Sequence, residues 1–258
     1  MNRRNQKATL DWSRYWNLDE IYEWMDVLMV DFPGVVTTFS IGKSTEGREI
    51  RGMRSNTDII QRKKAVFFES TIHANEWITT ASTTWIINEL LTSEDEEIKL
   101  LAERYEWYFV PVLNVDGFVY TWSTDRLWRK TRRPSDHNLL CHGADPNRNW
   151  DMFFSEFGSS MNPCSNNYAG DFVFSEPEMK QFSEFVPRIP NLAVYFSFHS
   201  YGQLLMLPFA YTLNHGVNYE TLHEIGEKAI SIIKSIDNTE YKLGTVSSFF
   251  GELMWGLS

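Results

Sequence analysis

Three short, dense apolar runs constrain the fold of this chain more than any other feature of its sequence. They lie at residues 63–72, 107–113 and 192–198. Each run is short for a helix. Each is also too continuously apolar for a strand with one solvent-exposed face, and such runs are typical of parallel strands buried on both faces. The sequence therefore predicts a sheet built around three buried strands.

Helical patterns alternate with these runs. Residues 18–30 repeat apolar side chains at helical spacing, with Asn17 placed as the N-cap. Ser175 and Glu178 have the spacing of a capping box that would open a helix. The remaining predicted elements are strands at residues 35–40 and 50–54 and helices at residues 79–91, 175–186 and 219–236. This alternation predicts an α/β fold: a mixed, mostly parallel sheet with helices on both faces.

Composition favours one globular domain over residues 1–258. The chain is 43% hydrophobic, and a chain of 258 residues can bury roughly 70–75% of its unfolded surface. No stretch approaches the roughly 20 apolar residues of a membrane span. The net charge of −10 would repel phosphate backbones, and the basic residues cluster densely only at residues 129–133. We therefore expect neither a nucleic-acid nor a membrane partner.

The sequence leaves the cellular compartment open. Residues 1–7 are polar and lack the apolar core of a secretion signal. The two cysteines, Cys141 and Cys164, fit either one disulfide bond or a reduced pair in a cytosolic protein.

His73 and Glu76 lie between an apolar run and a helical pattern, where open α/β sheets place their ligand sites. Two such side chains, three residues apart in a turn, can converge on one cation. Imidazole nitrogen and carboxylate oxygen are both zinc ligands. A histidine beside a carboxylate is also a common surface or core pair, so these two residues alone do not establish a metal site.

His199 is the candidate third ligand because it follows the run at residues 192–198, and neighbouring strand ends lie side by side. Two histidines and one glutamate would leave a fourth position for water, which distinguishes catalytic from structural zinc. Asp145 could accept the second N–H of a ligating imidazole and fix its tautomer. A hydrogen-bonded core histidine and a solvated loop aspartate are the alternatives.

Two arginines suggest the class of substrate. Arg132 and Arg148 lie on either side of Cys141 and would be costly to bury without anionic or polarised partners. Arg148, with Asn147 beside it, could hold the free carboxylate of a peptide, while Arg132 could stabilise a developing oxyanion. Solvated charged loops are the alternative.

Four motifs together resemble those of the zinc carboxypeptidase family of the pancreatic, or digestive, A/B type. The resemblance extends from residues 18–22 to residues 242–244, with the motifs in the family's order. The four motifs occupy residues 73–77, 126–132, 145–150 and 199–205.

Carried over position by position, the resemblance implies a site that holds one zinc ion per chain. Its ligands would be His73, Glu76 and His199. The other roles it implies are an electrophilic aid at Arg132, a clamp on the substrate carboxylate at Asn147 and Arg148, a peptide contact at Tyr201, a partner of a zinc histidine at Asp145, and a disulfide between Cys141 and Cys164.

The resemblance also implies a function. A metallocarboxypeptidase hydrolyses the last peptide bond of a peptide or protein, so peptide C-termini would be the substrates. The family further implies an extracellular, monomeric protein.

Two departures from the family pattern qualify these expectations. Asn75 stands where the family usually has arginine, which would weaken one contact to the bound peptide. The family also continues past the segment resembling residues 245–250 with a substrate-capping tyrosine and a strand that delivers a glutamate general base. Residues 251–258 match neither, and Glu252 precedes the position of that strand. We therefore expect the last strand and the C-terminal helix to be missing, and an inactive zinc-binding peptide-recognition module is the second hypothesis.

Overall fold

A computed structural model describes residues 10–56, 63–156 and 158–250. Within these ranges a five-stranded sheet has the order β1-β2-β4-β3-β5. Glu252, which precedes the position of the family's last strand, lies outside the described residues. The strands of the sheet are β1 (Val36–Lys43), β2 (Glu49–Ser55), β3 (Lys64–Ser70), β4 (Tyr105–Val110) and β5 (Leu192–Phe198).

The sheet is mixed, as predicted. β3 lies between β4 and β5 and pairs in parallel with both of them. β2 pairs antiparallel with β1 and with β4. A separate parallel pair joins β6 (Leu204–Leu207) to β7 (Lys242–Thr245). Parallel pairing therefore predominates, which confirms the predicted fold class.

Helices connect and flank these strands. The first of them begins where the sequence predicts: the Asn17 side chain accepts from Glu20 N at 3.1 Å, and the Glu20 carboxylate accepts from Asn17 N at 2.9 Å. No helix among the described residues combines the length and apolar character needed to cross a membrane. The helices are α1 (Leu18–Asp31), α2 (Trp77–Thr92), α3 (Glu96–Arg104), α4 (Val115–Ser123), α5 (Pro177–Phe185), α6 (Tyr219–Asp237) and α7 (Val246–Phe250).

The capping box predicted at Ser175 and Glu178 is wrong. α5 begins at Pro177, and its N-cap, Glu176, makes no side-chain capping bond. The Ser175 hydroxyl donates to the Glu176 carboxylate at 2.8 Å, while the Glu178 carboxylate accepts from Thr45 N at 3.0 Å. The side chains that a local cap would need are therefore bonded elsewhere: Ser175 to its neighbour in sequence, and Glu178 to a segment distant in sequence.

The predicted burial of all three apolar runs holds for β3 and β4 but not for β5. Phe67 on β3 and Phe109 on β4 are completely buried, whereas Val194 and Phe196 on β5 are each 37% exposed. β5 is the edge strand of the sheet within the described residues, so it lacks the neighbour that would cover it. Periodicity identifies such a strand but does not locate it in the sheet.

We predict that Glu178→Gln stabilises the protein at and above neutral pH. Burial raises the pKa of Glu178 from 4.5 to about 7. One oxygen of this carboxyl has no hydrogen-bond partner in the structure. Because the pKa is higher in the folded than in the unfolded chain, wild-type stability falls as the pH rises from about 4.5 to about 7.

The measurement is the free energy of unfolding by denaturant between pH 4 and pH 8. The advantage of Glu178→Gln should reach the order of 3 kcal/mol near pH 8 and shrink towards pH 4.5. Glu184→Gln is the matched control because Glu184 lies exposed on the same helix. An advantage that does not vary with pH would contradict the assignment.

Candidate metal centre

The site forms where β3 and β5 end beside each other. Their register pairs Ser70 with Phe198, so the residues that follow both strands emerge at one edge of the sheet. The chain then turns through Thr71, at φ +54°, whose N–H donates to the Thr79 hydroxyl at 3.0 Å. β-Branched residues rarely adopt this conformation, so the contacts of the turn hold a strained backbone.

Three side chains converge at this edge. His73 Nδ1 lies 3.0 Å from Glu76 Oε1, and His199 Nδ1 lies 3.2 Å from Glu76 Oε2. The two Nδ1 atoms are 3.1 Å apart. His73 and Glu76 are buried, and His199 is half-buried. The structure therefore brings together the three ligands that the sequence suggested.

The ligands are themselves held by neighbouring groups. His73 Nε2 lies 3.2 Å from Asp145 Oδ1, and Asp145 is completely buried. A proton on Nε2 donated to this carboxylate leaves the lone pair on Nδ1. Ser200 N donates to Glu76 Oε2 at 3.0 Å, which fixes the carboxylate from the β5 side.

The electrostatics favour a cation. Burial alone would raise the pKa of Glu76, but its contacts with the imidazoles of His199 and His73 outweigh that effect and hold the pKa at about 2. Burial would likewise raise the pKa of Asp145, yet its contacts with His73 and Arg129 hold it far below its ordinary value. Both carboxylates are therefore ionised at neutral pH.

The donor set fits zinc. Two imidazole nitrogens facing each other at 3.1 Å cannot both carry protons without repulsion, whereas a shared cation accepts both lone pairs. Neighbouring ligands of a tetrahedral ion with bonds of about 2.0–2.1 Å would lie roughly 3.3 Å apart, close to the spacing of these donors. The cluster is preformed for one ion.

Arg129, rather than Arg132, lies at this cluster. The Arg129 guanidinium donates to Asp145 Oδ2 through two nitrogens, at 2.9 and 3.1 Å, and a third lies 3.8 Å from Glu76 Oε1. The Arg132 guanidinium instead stacks on the Tyr120 ring, 3.8 Å from its centre. The contacts described for Arg132 do not include the cluster, although both arginines belong to the same sequence motif.

Arg148 lies in the loop that follows Asp145. Its Nε donates to the carbonyl of Gly158 at 3.0 Å, and another nitrogen donates to the carbonyl of Asn147 at 3.3 Å. Within the described part of the chain it forms no ion pair, and burial lowers its pKa. A disulfide between Cys141 and Cys164 closes the loop that carries it.

The last two positions singled out from the sequence flank the cluster. Tyr201 follows Ser200 and is fully exposed, so its ring is free to meet a ligand. Asn75 lies between two metal ligands, and its amide donates to the Leu127 carbonyl at 3.4 Å. The Asn75 carbonyl is bound by Arg126 at 2.8 Å.

The fold and the cluster together define an α/β protein with a His-Glu-His cluster that could hold one metal ion. The chain matches the zinc carboxypeptidase family over residues 21–256 and belongs to that family. It is 45% identical over 237 residues to a zinc carboxypeptidase of Simulium vittatum, and it covers 76% of that protein. It is 40% identical over 247 residues to zinc carboxypeptidase A 1 of Anopheles gambiae, of which it spans only 56%.

A solved structure shows the same architecture. The carboxypeptidase A of Helicoverpa armigera superposes with a TM-score of 0.89 at 30% sequence identity. The alignment covers 99% of this chain and 64% of the insect enzyme. The fold is therefore that of the family over the whole aligned region.

We predict that His199→Ala abolishes stoichiometric zinc binding, because it removes the only ligand that β5 supplies to the cluster. Zinc per chain would be measured after dialysis, with circular dichroism as the check on folding. His137→Ala is the control, since His137 is exposed and remote from the cluster. A folded His199→Ala protein that still carries one zinc ion would contradict the ligand set.

Proposed function

We propose that this protein is a zinc-dependent metallocarboxypeptidase that hydrolyses the C-terminal peptide bond of peptides or proteins. The observation that carries the proposal is the convergence of His73, Glu76 and His199 at one edge of the sheet, with Arg129 beside them. Membership of the zinc carboxypeptidase family supports the zinc ion and the class of reaction. One ion per chain is expected from a single cluster of this kind.

Different residues of the chain would bind, orient and support the zinc ion in such a site. A zinc ion bound here would polarise the scissile carbonyl and lower the pKa of a water molecule. Asp145 holds His73 in the tautomer that leaves Nδ1 free, and Ser200 N holds the Glu76 carboxylate. Preorganised groups of this kind need no rearrangement when the reaction begins.

Arg129 is the group we assign to the developing oxyanion. Its position beside Glu76 and Asp145 supports this role, whereas Arg132 packs against aromatic rings. Because two nitrogens of the Arg129 guanidinium donate to Asp145, the orientation of the guanidinium plane is fixed. Arg129 would then stabilise negative charge on the oxygen of the substrate carbonyl.

Arg148 and Asn147 are proposed to bind the terminal carboxylate of the substrate. The hydrogen bonds of Arg148 reach only carbonyl oxygens, and Asp145 attracts its charge without forming an ion pair with it. No carboxylate therefore uses its donors within the described residues, which favours an anionic ligand. Tyr201 is proposed to contact the peptide upstream. If the substrate must present a free carboxylate to this clamp, cleavage is restricted to the C-terminal end of the substrate peptide.

We propose that the protein acts outside the cell. The disulfide between Cys141 and Cys164 supports it, because such bonds persist in oxidising compartments. A monomer remains our expectation for the oligomeric state.

An inactive peptide-recognition module is the second candidate. The observation in its favour is that Glu76 and Asp145 are the carboxylates that contact the cluster's imidazoles among the described residues, and both are already engaged. General acid–base catalysis commonly contributes about 10²–10⁴-fold to a rate. A zinc-loaded 258-residue chain that binds peptide without cleaving it would support this candidate.

We predict that Arg148→Ala weakens the binding of a peptide with a free C-terminal carboxylate by roughly 10–100-fold, the value of about 1.5–3 kcal/mol for hydrogen bonds to charged groups. Titration calorimetry on the zinc-loaded protein would measure the dissociation constant. The same peptide with an amidated C-terminus is the control, and its affinity should not respond to the substitution. Equal losses for both peptides would argue against a carboxylate clamp.

We predict that Arg129→Ala lowers kcat by about 10²-fold or more, the usual cost of removing an oxyanion donor. Arg132→Ala should mainly reduce thermal stability, because it removes a stacked guanidinium. Both variants would be compared at equal zinc content. A larger fall in kcat for Arg132→Ala would restore the role that the sequence first suggested for it.

A further inference from the structure

A buried carboxyl group beside the metal cluster has no part in the reaction proposed above. Glu69 lies on β3 and is completely buried. The Tyr195 hydroxyl donates to its Oε2 at 3.1 Å, but its Oε1 has no hydrogen-bond partner in the structure. Burying an acidic side chain with an unused hydrogen-bond acceptor lowers the stability of the folded protein. A functional role for Glu69 would explain why this cost is tolerated.

The strand register directs this carboxyl group towards the second histidine. Glu69 pairs with Ser197 across β3 and β5. The Ser197 hydroxyl in turn lies 3.2 Å from His199 Nε2. Burial raises the pKa of Glu69, while its neighbours His199, Ser197 and Tyr195 each oppose that rise, which shows that these groups share one electrostatic environment.

The direction of the hydrogen bonds follows from the cluster. His199 Nδ1 faces Glu76 and His73, so this nitrogen must present its lone pair to a cation. The proton of the neutral imidazole then resides on Nε2, which donates to the Ser197 hydroxyl. Because that hydroxyl oxygen accepts, its own proton is available to the unpaired oxygen of Glu69.

We propose that Ser197 and Glu69 form a positioning relay that holds His199 in its metal-binding orientation. Glu69 orients the hydroxyl of Ser197, and Ser197 fixes the tautomer and the ring of His199. The relay would do for His199 what Asp145 does directly for His73. This inference rests on the zinc site proposed above.

The first test compares the zinc affinities of Ser197→Ala, Ser197→Thr and the wild-type 258-residue chain by competition with a chelator. Loss of a partner of a ligating histidine typically weakens metal binding 10–100-fold, and we expect about tenfold for an exposed hydroxyl. Threonine keeps the hydroxyl and should restore affinity. Ser70→Ala is the matched control, because it removes a hydroxyl on β3 that donates to the Pro111 carbonyl at 3.0 Å, away from His199.

The second test asks whether Glu69 acts through Ser197. Glu69→Gln should weaken zinc binding in the wild-type background and have no further effect in Ser197→Ala, because the relay is then already broken. Equal effects in both backgrounds would overturn the role of Glu69. If Ser197→Ala fails to fold, Ser197→Thr and Glu69→Gln carry the test.

The outcomes separate this inference from the proposed function. A wild-type chain that binds no zinc overturns the metal site and the relay with it. A wild-type chain that binds zinc no more tightly than folded Ser197→Ala overturns the relay alone and leaves the proposed function intact.

Discussion

The register between β3 and β5 is the constraint on which the metal site depends. Ring contacts on both faces of the sheet fix it: Phe67 stacks on Tyr195 with centroids 5.6 Å apart, and Phe68 stacks on Phe196 at 4.8 Å. A slip by one residue would turn every side chain of β5 to the opposite face. His199 would then leave the cluster, so aromatic packing within the sheet determines the metal geometry at its edge.

Asp145 extends this constraint to the loops. Its buried carboxylate accepts hydrogen bonds from His73, from Arg129 and from Asn147 N, the last at 2.9 Å. One side chain therefore links a metal ligand, the proposed oxyanion donor and the start of the proposed carboxylate clamp. Three motifs that are separate in the sequence form a single hydrogen-bonded network. Loss of this carboxylate would leave three polar or cationic partners without their acceptor.

The sequence predicts best those features whose determinants lie within a few residues. The bounds of β5 and the start of α1 after Asn17 follow from local patterns. The convergence of the three candidate ligands follows from the rule that neighbouring strand ends share an edge. α4 was not predicted, because Gly117 interrupts its pattern. That glycine is required by packing: an added Cβ would lie 2.6 Å from the Lys130 carbonyl oxygen, on a segment distant in sequence.

The arginine assignment shows why the rest could not be predicted. Charge and spacing do not distinguish Arg129 from Arg132, since both belong to one basic run. Their positions are decided by partners elsewhere in the chain: a buried carboxylate that binds one guanidinium and aromatic rings that stack with the other. Sequence patterns identify the basic run, but they do not show which of its arginines contacts the buried carboxylate.

The contacts of this basic run explain why it is compatible with an acidic protein for which we expect no nucleic-acid partner. The four basic side chains of residues 129–133 contact, in chain order, Asp145, the Pro163 carbonyl, the Tyr120 ring and Asp171. Their charges are used within the molecule, so they form no exposed stripe for phosphates. Arg148 forms no ion pair within the described residues, and this difference supports its proposed role in binding the substrate carboxylate.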